Sequence, residues 1–165
     1  MRQFFSSSTT DSAPRSRPVN PLRSARGQAF VETAISIIVL LGFVFSVIDA
    51  GMLFFTYVTL ENAVSEATRF AATGQTLTDP GSGSQLSRID SIKLKARTEA
   101  NGIQIPDGEF VFRNLTDGTA DAGGPNDVIQ VTINHAYTPL FPILFLVSHS
   151  PFDIHLSSTM LNEPP

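Results

Sequence analysis

The chain has 165 residues, is 42% hydrophobic and carries a net charge of −4, which suits one modest domain. The absence of cysteine excludes disulfides and thiolate metal sites. Charge is uneven, because residues 1–26 hold five Arg against Asp11 alone, whereas the remainder has six basic and fourteen acidic residues. The arginines are too sparse, and too little interleaved with aromatic residues, to predict nucleic-acid binding.

An apolar run follows the basic block. Residues 29–48 contain a single charge, Glu32, and a spanning helix needs about 20 residues at about 1.5 Å each. Arginines before such a run hold that end in the cytoplasm, which predicts export of the rest of the chain. The run leads into "IDAGMLFF" without a small-x-small cleavage site, which argues against an ordinary signal peptide.

The helix is predicted to continue beyond Asp49 and to end at Thr73, before Gly74. Apolar side chains recur there at steps of four and three, at Leu53, Tyr57, Leu60, Val64, Ala67 and Ala71. One helix over residues 29–73 would be about 68 Å long. Its first half suits lipid, and its amphipathic second half suits a soluble domain.

The C-terminal part predicts a second helix over residues 85–100, with Ser87 as its N-cap, followed by three strands. The strands are residues 109–116, 127–137 and 152–161, and their alternation is typical of an antiparallel sheet with one covered face. The predicted class is therefore α+β, with a long N-terminal helix packed on a small sheet.

The run Leu140 to Val147 is apolar and is interrupted by Pro142. It is too short to span a bilayer. It can pack in the core or a loop, or it can face a partner or the membrane.

Catalytic motifs are missing from the sequence. No metalloprotease helix, nucleophile elbow or phosphate loop occurs, and "GSGS" at residues 81–84 is typical of a turn. The three histidines, His135, His149 and His155, have simpler structural interpretations. We therefore predict that the protein is not an enzyme and has no cofactor and no metal site.

Glu32 is unusual because an acid at the start of a membrane helix is costly unless it reaches the interface or finds a partner. It can simply sit at the headgroup boundary. However, Gly27 lies five residues before it, and this arrangement resembles the processing site of type IV prepilins. The resemblance implies that prepilin peptidase cuts between Gly27 and Gln28, and that Glu32 brings subunits into register by pairing with the new amino group.

The segment after the apolar run resembles the TadE-like family, minor pseudopilins of the tight-adherence (Tad/Flp, type IVb) pilus system. The positions that carry the resemblance are Asp49, Gly51, Leu60, Asn62, Ala63, Ala67 and Arg69. The late strand with its Pro-containing turn and the ending "SSTMLNEPP" also resemble the family. Small residues at Gly42, Ser46 and Ala50 form a stripe that would let another helix approach closely, although small residues are common in such helices.

Four regions follow from the sequence and the resemblance: a basic leader at residues 1–27, a transmembrane helix at 28–50, its amphipathic continuation at 51–74, and an extracytoplasmic domain at 75–165. The expected location is the bacterial inner membrane, single-pass, with a cytoplasmic N-terminus. The resemblance implies a pilin-like fold, a role in pilus assembly or priming for adhesion or secretion, and partners among pilins, pseudopilins, the assembly platform, prepilin peptidase and membrane lipid. A membrane-anchored periplasmic binding module or enzyme unrelated to pili is the alternative.

Overall fold

The computed structural model describes residues 21–141 and 151–164, with side chains from Gly27 onward. The elements in chain order are α1 (Pro21–Ala72), α2 (Arg88–Glu99), a 3-10 turn (Asp107–Glu109), β1 (Phe110–Asn114), β2 (Val128–Tyr137) and β3 (Phe152–Leu161). The chain divides into two compact units, Met1–Leu40 and Leu41–Pro165, and α1 contributes to both. The predicted α+β class is confirmed.

Helix α1 is one uninterrupted element of 52 residues, and the prediction of a single long helix is confirmed. It begins eight residues earlier than predicted, at Pro21, because proline is well tolerated at the first helical position, where its missing N–H costs nothing. It ends at Ala72, one residue before the predicted Thr73. Gly74 then adopts φ +68°, and its amide donates to the Ala71 carbonyl at 3.1 Å.

In the first unit, the described residues all belong to α1. Its polar side chains bond within the helix: the Thr33 hydroxyl donates to the Ala29 carbonyl at 2.9 Å, and the Ser36 hydroxyl to the Glu32 carbonyl at 2.8 Å. From Gly27 onward, α1 is long and apolar enough to cross a membrane, with a mean hydropathy of 2.5 over an 18-residue window. This fits a single-pass membrane anchor.

In the second unit, the three strands form one antiparallel sheet in the order β1-β2-β3. The core face of β2 carries Ile129, Val131 and Ile133, all fully buried, as the alternation in the sequence predicted. Leu60 from α1 and Ile92 from α2 belong to the same hydrophobic cluster. The amphipathic part of α1 thus covers the sheet, as expected from its apolar stripe.

Two boundaries are narrower than predicted. Helix α2 starts at Arg88 rather than residue 85, because the preceding Ser87 is its N-cap and accepts a bond from the Asp90 amide at 3.1 Å. Strand β1 stops at Asn114 rather than residue 116, because a turn closes there: the Asn114 carbonyl accepts from the Gly118 amide at 2.9 Å.

Candidate functional site: the motif segment of the long helix

Asp49 lies on the part of α1 that belongs to the second unit, and it is 1% exposed although apolar residues surround it in the sequence. Its two carboxylate oxygens each accept a backbone N–H, from Leu140 at 2.9 Å and from Phe141 at 3.1 Å. Burying a carboxylate without partners is expensive, and bonds from backbone amides offset that cost. We call this arrangement the Asp49 clamp: Asp49 with the amides of residues 140 and 141.

Two aromatic contacts accompany the clamp. The rings of Phe45 and Phe141 stack with centroids 4.3 Å apart and planes within 9°. The Tyr137 hydroxyl points at the Asp49 carbonyl, at 3.5 Å, the outer limit of a hydrogen bond. Burial, and to a lesser degree the negative charge of Asp49, raises the pKa of Tyr137. The chain after β2 is therefore held against α1 by a carboxylate, a stacked ring and a half-buried phenol.

The motif residues of α1 divide between two faces. Leu60, Ala63 and Ala67 are fully buried in the hydrophobic cluster. Spaced by three and four residues, they share one side of the helix, and the two alanines leave room for close packing. These three positions, together with Asp49, serve the fold of this chain.

The remaining motif residues, Gly51, Asn62 and Arg69, are exposed. A Cβ added at Gly51 would meet no atom within 4 Å among the described residues. Arg69 forms an exposed ion pair with Glu66, 3.2 Å away on the same helix. Such a surface pair adds little stability. Packing inside this chain therefore does not account for these three positions.

The processing-site residues lie in the first unit on an exposed part of α1. The Gln28 side-chain amide donates to a carboxylate oxygen of Glu32 at 3.1 Å, across one helical turn. A Cβ at Gly27 would meet nothing within 4 Å. The structure thus brings Gln28 and Glu32 together on one helical face next to Gly27.

The small-residue stripe is less exposed than the apolar residues around it. Gly42 and Ser46 are half-buried and Ala50 is exposed. The Ser46 hydroxyl donates to the Gly42 carbonyl at 2.8 Å, so the polar group is satisfied within the helix.

Some contacts were not evident from the sequence. The ring of His135 lies 2.8 Å from the Glu109 carboxylate, and both side chains are largely buried. Of the predicted apolar run, Leu140 is exposed and Phe141 joins the clamp, while the stretch from Pro142 to Val147 lies outside the described residues. No pattern in the sequence identified the amides of residues 140 and 141 as the partners of Asp49.

Within the part of the chain that the structure describes, no group of three or more His, Cys, Asp or Glu side chains is arranged to hold a metal ion. The most prominent surface depressions of the second unit lie along α1 and β3 and are open to solvent.

Comparison with known proteins gives one match. The family model described as TadE-like protein matches residues 27–69, which begin at Gly27 and end at Arg69. No curated protein and no solved structure matches the chain. The matched stretch contains the apolar part of α1, Asp49 and the motif residues. The resemblance to the TadE-like family seen in the sequence is thus confirmed over this stretch.

Proposed function

We propose that the protein is a minor pseudopilin that acts in assembly or priming of a Tad/Flp-type pilus used for adhesion or secretion. The observation that carries this proposal is the family match to residues 27–69, the same stretch of α1 that joins an apolar anchor to the motif residues. Its work is association rather than catalysis.

The proposed topology is single-pass in the inner membrane. Residues 1–27 form the cytoplasmic leader, residues 28–50 the transmembrane helix, residues 51–74 its amphipathic continuation and residues 75–165 the extracytoplasmic domain. The arginines before the span and the acidic balance after it support this orientation.

Processing would occur between Gly27 and Gln28, and the new amino group at Gln28 would carry a positive charge. Glu32 would pair with that group on a neighbouring subunit in a low-dielectric setting. Two observations support this role: the Glu32 side chain is exposed, and it already accepts a bond from the Gln28 side chain at 3.1 Å. If the leader is not cleaved, the protein would instead serve as a membrane scaffold.

Association would use the surfaces of α1 that the chain itself leaves uncovered. Phe54 of α1 is 70% exposed and lies in an open depression beside β3. Gly51, Asn62 and Arg69 are exposed as well. These surfaces, with the small-residue stripe, would contact other pilins and the assembly platform, and the apolar part would contact membrane lipid.

The proposal is tested by determining the N-terminal residue and the intact mass of the protein isolated from its host membranes. A start at Gln28 with α1 retained supports prepilin-type processing. A retained arginine leader supports an uncut scaffold. A start beyond Ala50 would mean that the apolar run was only an export signal, which favours the alternative of a periplasmic binding module or enzyme.

The role of Glu32 has its own test, with pilus number per cell as the readout. We expect Glu32→Ala to reduce pili more than tenfold, because a desolvated, charge-assisted contact would be lost. Asp121→Ala removes an exposed carboxylate from the loop before β2, outside α1, and as the control it should leave pilus number unchanged. Normal piliation of Glu32→Ala would remove the registration role even if the protein still acts in pilus assembly.

A further inference from the structure

The two edges of the sheet differ in how completely the chain protects them. At β1, the Phe110 amide donates to the Asp107 carbonyl. At its other end, the Asn114 amide donates to the Thr119 carbonyl and the Asn114 carbonyl accepts from the Gly118 amide, both at 2.9 Å. The five-residue β1 edge is therefore closed at both ends by its own flanking turns.

Strand β3 has ten residues and forms the opposite edge. The Asn162 amide donates at 2.8 Å to the carbonyl of Asp127, the residue directly opposite on the neighbouring chain segment. In an antiparallel pair, hydrogen-bonded residues alternate along each strand. The even-numbered residues of β3 are therefore the ones that bond to β2. The backbone groups of residues 153, 155, 157, 159 and 161 then point away from the sheet. Within the described part of the chain, no backbone group outside β2 bonds to these five residues.

The sequence of β3 also lacks the usual edge protection. Proteins guard long edges with Lys, Pro, bulges or short strands. "FDIHLSSTML" contains no Lys, no Arg and no Pro, and it pairs with β2 over ten consecutive residues without a bulge. A long, regular and unguarded edge is a template for an added strand.

A groove between β3 and α1 runs beside this edge. It consists of three depressions of about 580, 620 and 330 Å³. The first lies against Phe152 and Leu53, the second against His155 and Glu61, and the third against Met160 and Phe70. An extended segment placed along β3 would have these depressions for its side chains.

The charges around the groove favour a basic occupant. No ion pair within the described residues involves Glu61, Asp153 or Glu163, all of them exposed. The two nearby cations are already paired, Arg69 with Glu66 at 3.2 Å and Lys95 with Glu99 at 2.6 Å. The groove therefore presents uncompensated negative charge, which steers and orients a positively charged partner.

Geometry argues against antiparallel pairing of β3 with the β3 edge of a second copy of this chain. Strand β3 runs in the same direction as the adjoining part of α1, from Phe152 near Ala50 to Glu163, whose amide donates to the Ala72 carbonyl at 2.9 Å. Antiparallel pairing of two β3 edges would point the two α1 helices in opposite directions, which copies anchored in one membrane cannot adopt. Pairing of β3 with the β1 edge of a neighbour is opposed by the turns that close β1.

We propose that the free edge of β3 binds an extended, Lys- or Arg-bearing segment of a different protein as a fourth strand of the sheet. Backbone hydrogen bonds from the five outward-facing residues supply the affinity, and the acidic side chains beside the groove, Glu61, Asp153 and Glu163, favour a positively charged segment. This interaction goes beyond the anchoring and processing roles proposed above and does not depend on cleavage after Gly27.

The test uses the full chain in detergent micelles and measures amide hydrogen exchange residue by residue. The probe is a ten-residue peptide in which Lys alternates with Val, and its control carries Glu in place of every Lys. We expect the Lys peptide to slow exchange at His155, Ser157 and Thr159 by at least about tenfold, without changing residues 154, 156 and 158, which already bond to β2. The Glu peptide should bind about tenfold more weakly.

A pair of variants at the centre of the edge separates strand addition from nonspecific binding. Ser157→Pro removes one outward N–H while leaving the β2 ladder intact, and it should abolish the protection. Ser157→Ala keeps the N–H and should preserve it. Thermal unfolding of both variants shows whether the sheet itself has survived, and Thr159→Pro provides a second edge variant if Ser157→Pro unfolds.

Three results would overturn the proposal. One is the absence of protection by the Lys peptide at millimolar concentration. Another is equal protection by the Glu peptide or in the folded proline variant. The third is protection in the protein alone that grows with its own concentration, which would assign the edge to a second copy. None of these depends on pilus assembly, so the pseudopilin role stands or falls separately.

Discussion

Two carboxylates on α1 differ in their surroundings. The Asp49 carboxylate is buried and accepts two backbone amides, whereas the Glu32 carboxylate is exposed and, among the described residues, accepts a hydrogen bond only from the Gln28 side chain. The sequence marks Glu32 as anomalous because it interrupts the start of an apolar run, while Asp49 stands out only through resemblance. Burial and bonding give Asp49 the larger structural role, because it fixes where the chain goes after β2.

Removal of the clamp should be costly. Asp49→Ala leaves two amides without their acceptor, and we expect a loss of about 2–4 kcal/mol in the free energy of unfolding. Asp49→Asn keeps one acceptor oxygen and should lose less. Urea denaturation of the full chain in micelles, followed by circular dichroism, measures both. The exposed Asp153→Asn is the control, and an equal loss there would contradict a specific role for the clamp.

Tyr137 provides a spectroscopic test of the same contacts. Burial and the Asp49 charge raise the pKa of Tyr137 above 10.0, so the folded state keeps the phenol proton at a pH where the unfolded chain releases it. The protonated Tyr137 phenol therefore contributes its full stabilisation below about pH 10, and this contribution is lost as the pH rises from about 10 through the pKa of Tyr137 in the folded state.

The chain has two tyrosines and no tryptophan, which makes an ultraviolet titration of phenolate simple to interpret. We expect the component removed by Tyr137→Phe to titrate above pH 10. A component at or below pH 10 would show that the phenol is not buried beside Asp49.

At the scale of elements, the motif of α1 serves two purposes. Its small and apolar residues Ala63, Ala67 and Leu60 are buried in the hydrophobic cluster, and Asn62 and Arg69 are exposed in depressions beside β3. The 3.6-residue period separates the two sets, because positions three and four apart share a face. A single segment of helix can therefore carry both a folding requirement and an exposed surface.

This division can be measured with two substitutions. Ala67→Leu adds bulk in the fully buried interface of α1 and should cost about 1–3 kcal/mol in the free energy of unfolding. Asn62→Ala should change stability by no more than about 0.5 kcal/mol and should reduce pilus number if its face contacts a partner. Comparable destabilisation by the two variants would argue against the separation of faces.

At the scale of the whole molecule, the chain pairs an apolar helix with an acidic C-terminal region. Five arginines lie before the apolar run and most carboxylates lie after it, which supports the proposed orientation in the membrane. The absence of cysteine makes this orientation directly testable by single-cysteine labelling.

Ser82 lies in the exposed turn between α1 and α2, in the proposed extracytoplasmic domain. We expect Ser82→Cys to react with a membrane-impermeant maleimide in intact spheroplasts of the host. In the uncut precursor, Ser7→Cys in the leader should not react until the cells are lysed. Labelling of Ser82→Cys only after lysis would reverse the proposed topology.

The sequence by itself determined the long helix, its termination just before Gly74, the N-cap Ser87 and the covered face of β2. These features follow from local periodicity and capping, which adjacent residues specify. The earlier start of α1 at Pro21 and the shorter β1 show the usual uncertainty at element ends.

Only the tertiary structure decided which atoms meet across the chain. The Asp49 clamp joins residues separated by about ninety positions, and the contrast between the closed β1 edge and the open β3 edge depends on strand order. Side-chain period predicts which face of a strand is buried, but it does not tell which neighbour the backbone bonds to or whether an edge stays free. Those outcomes depend on long-range packing, which no local pattern encodes.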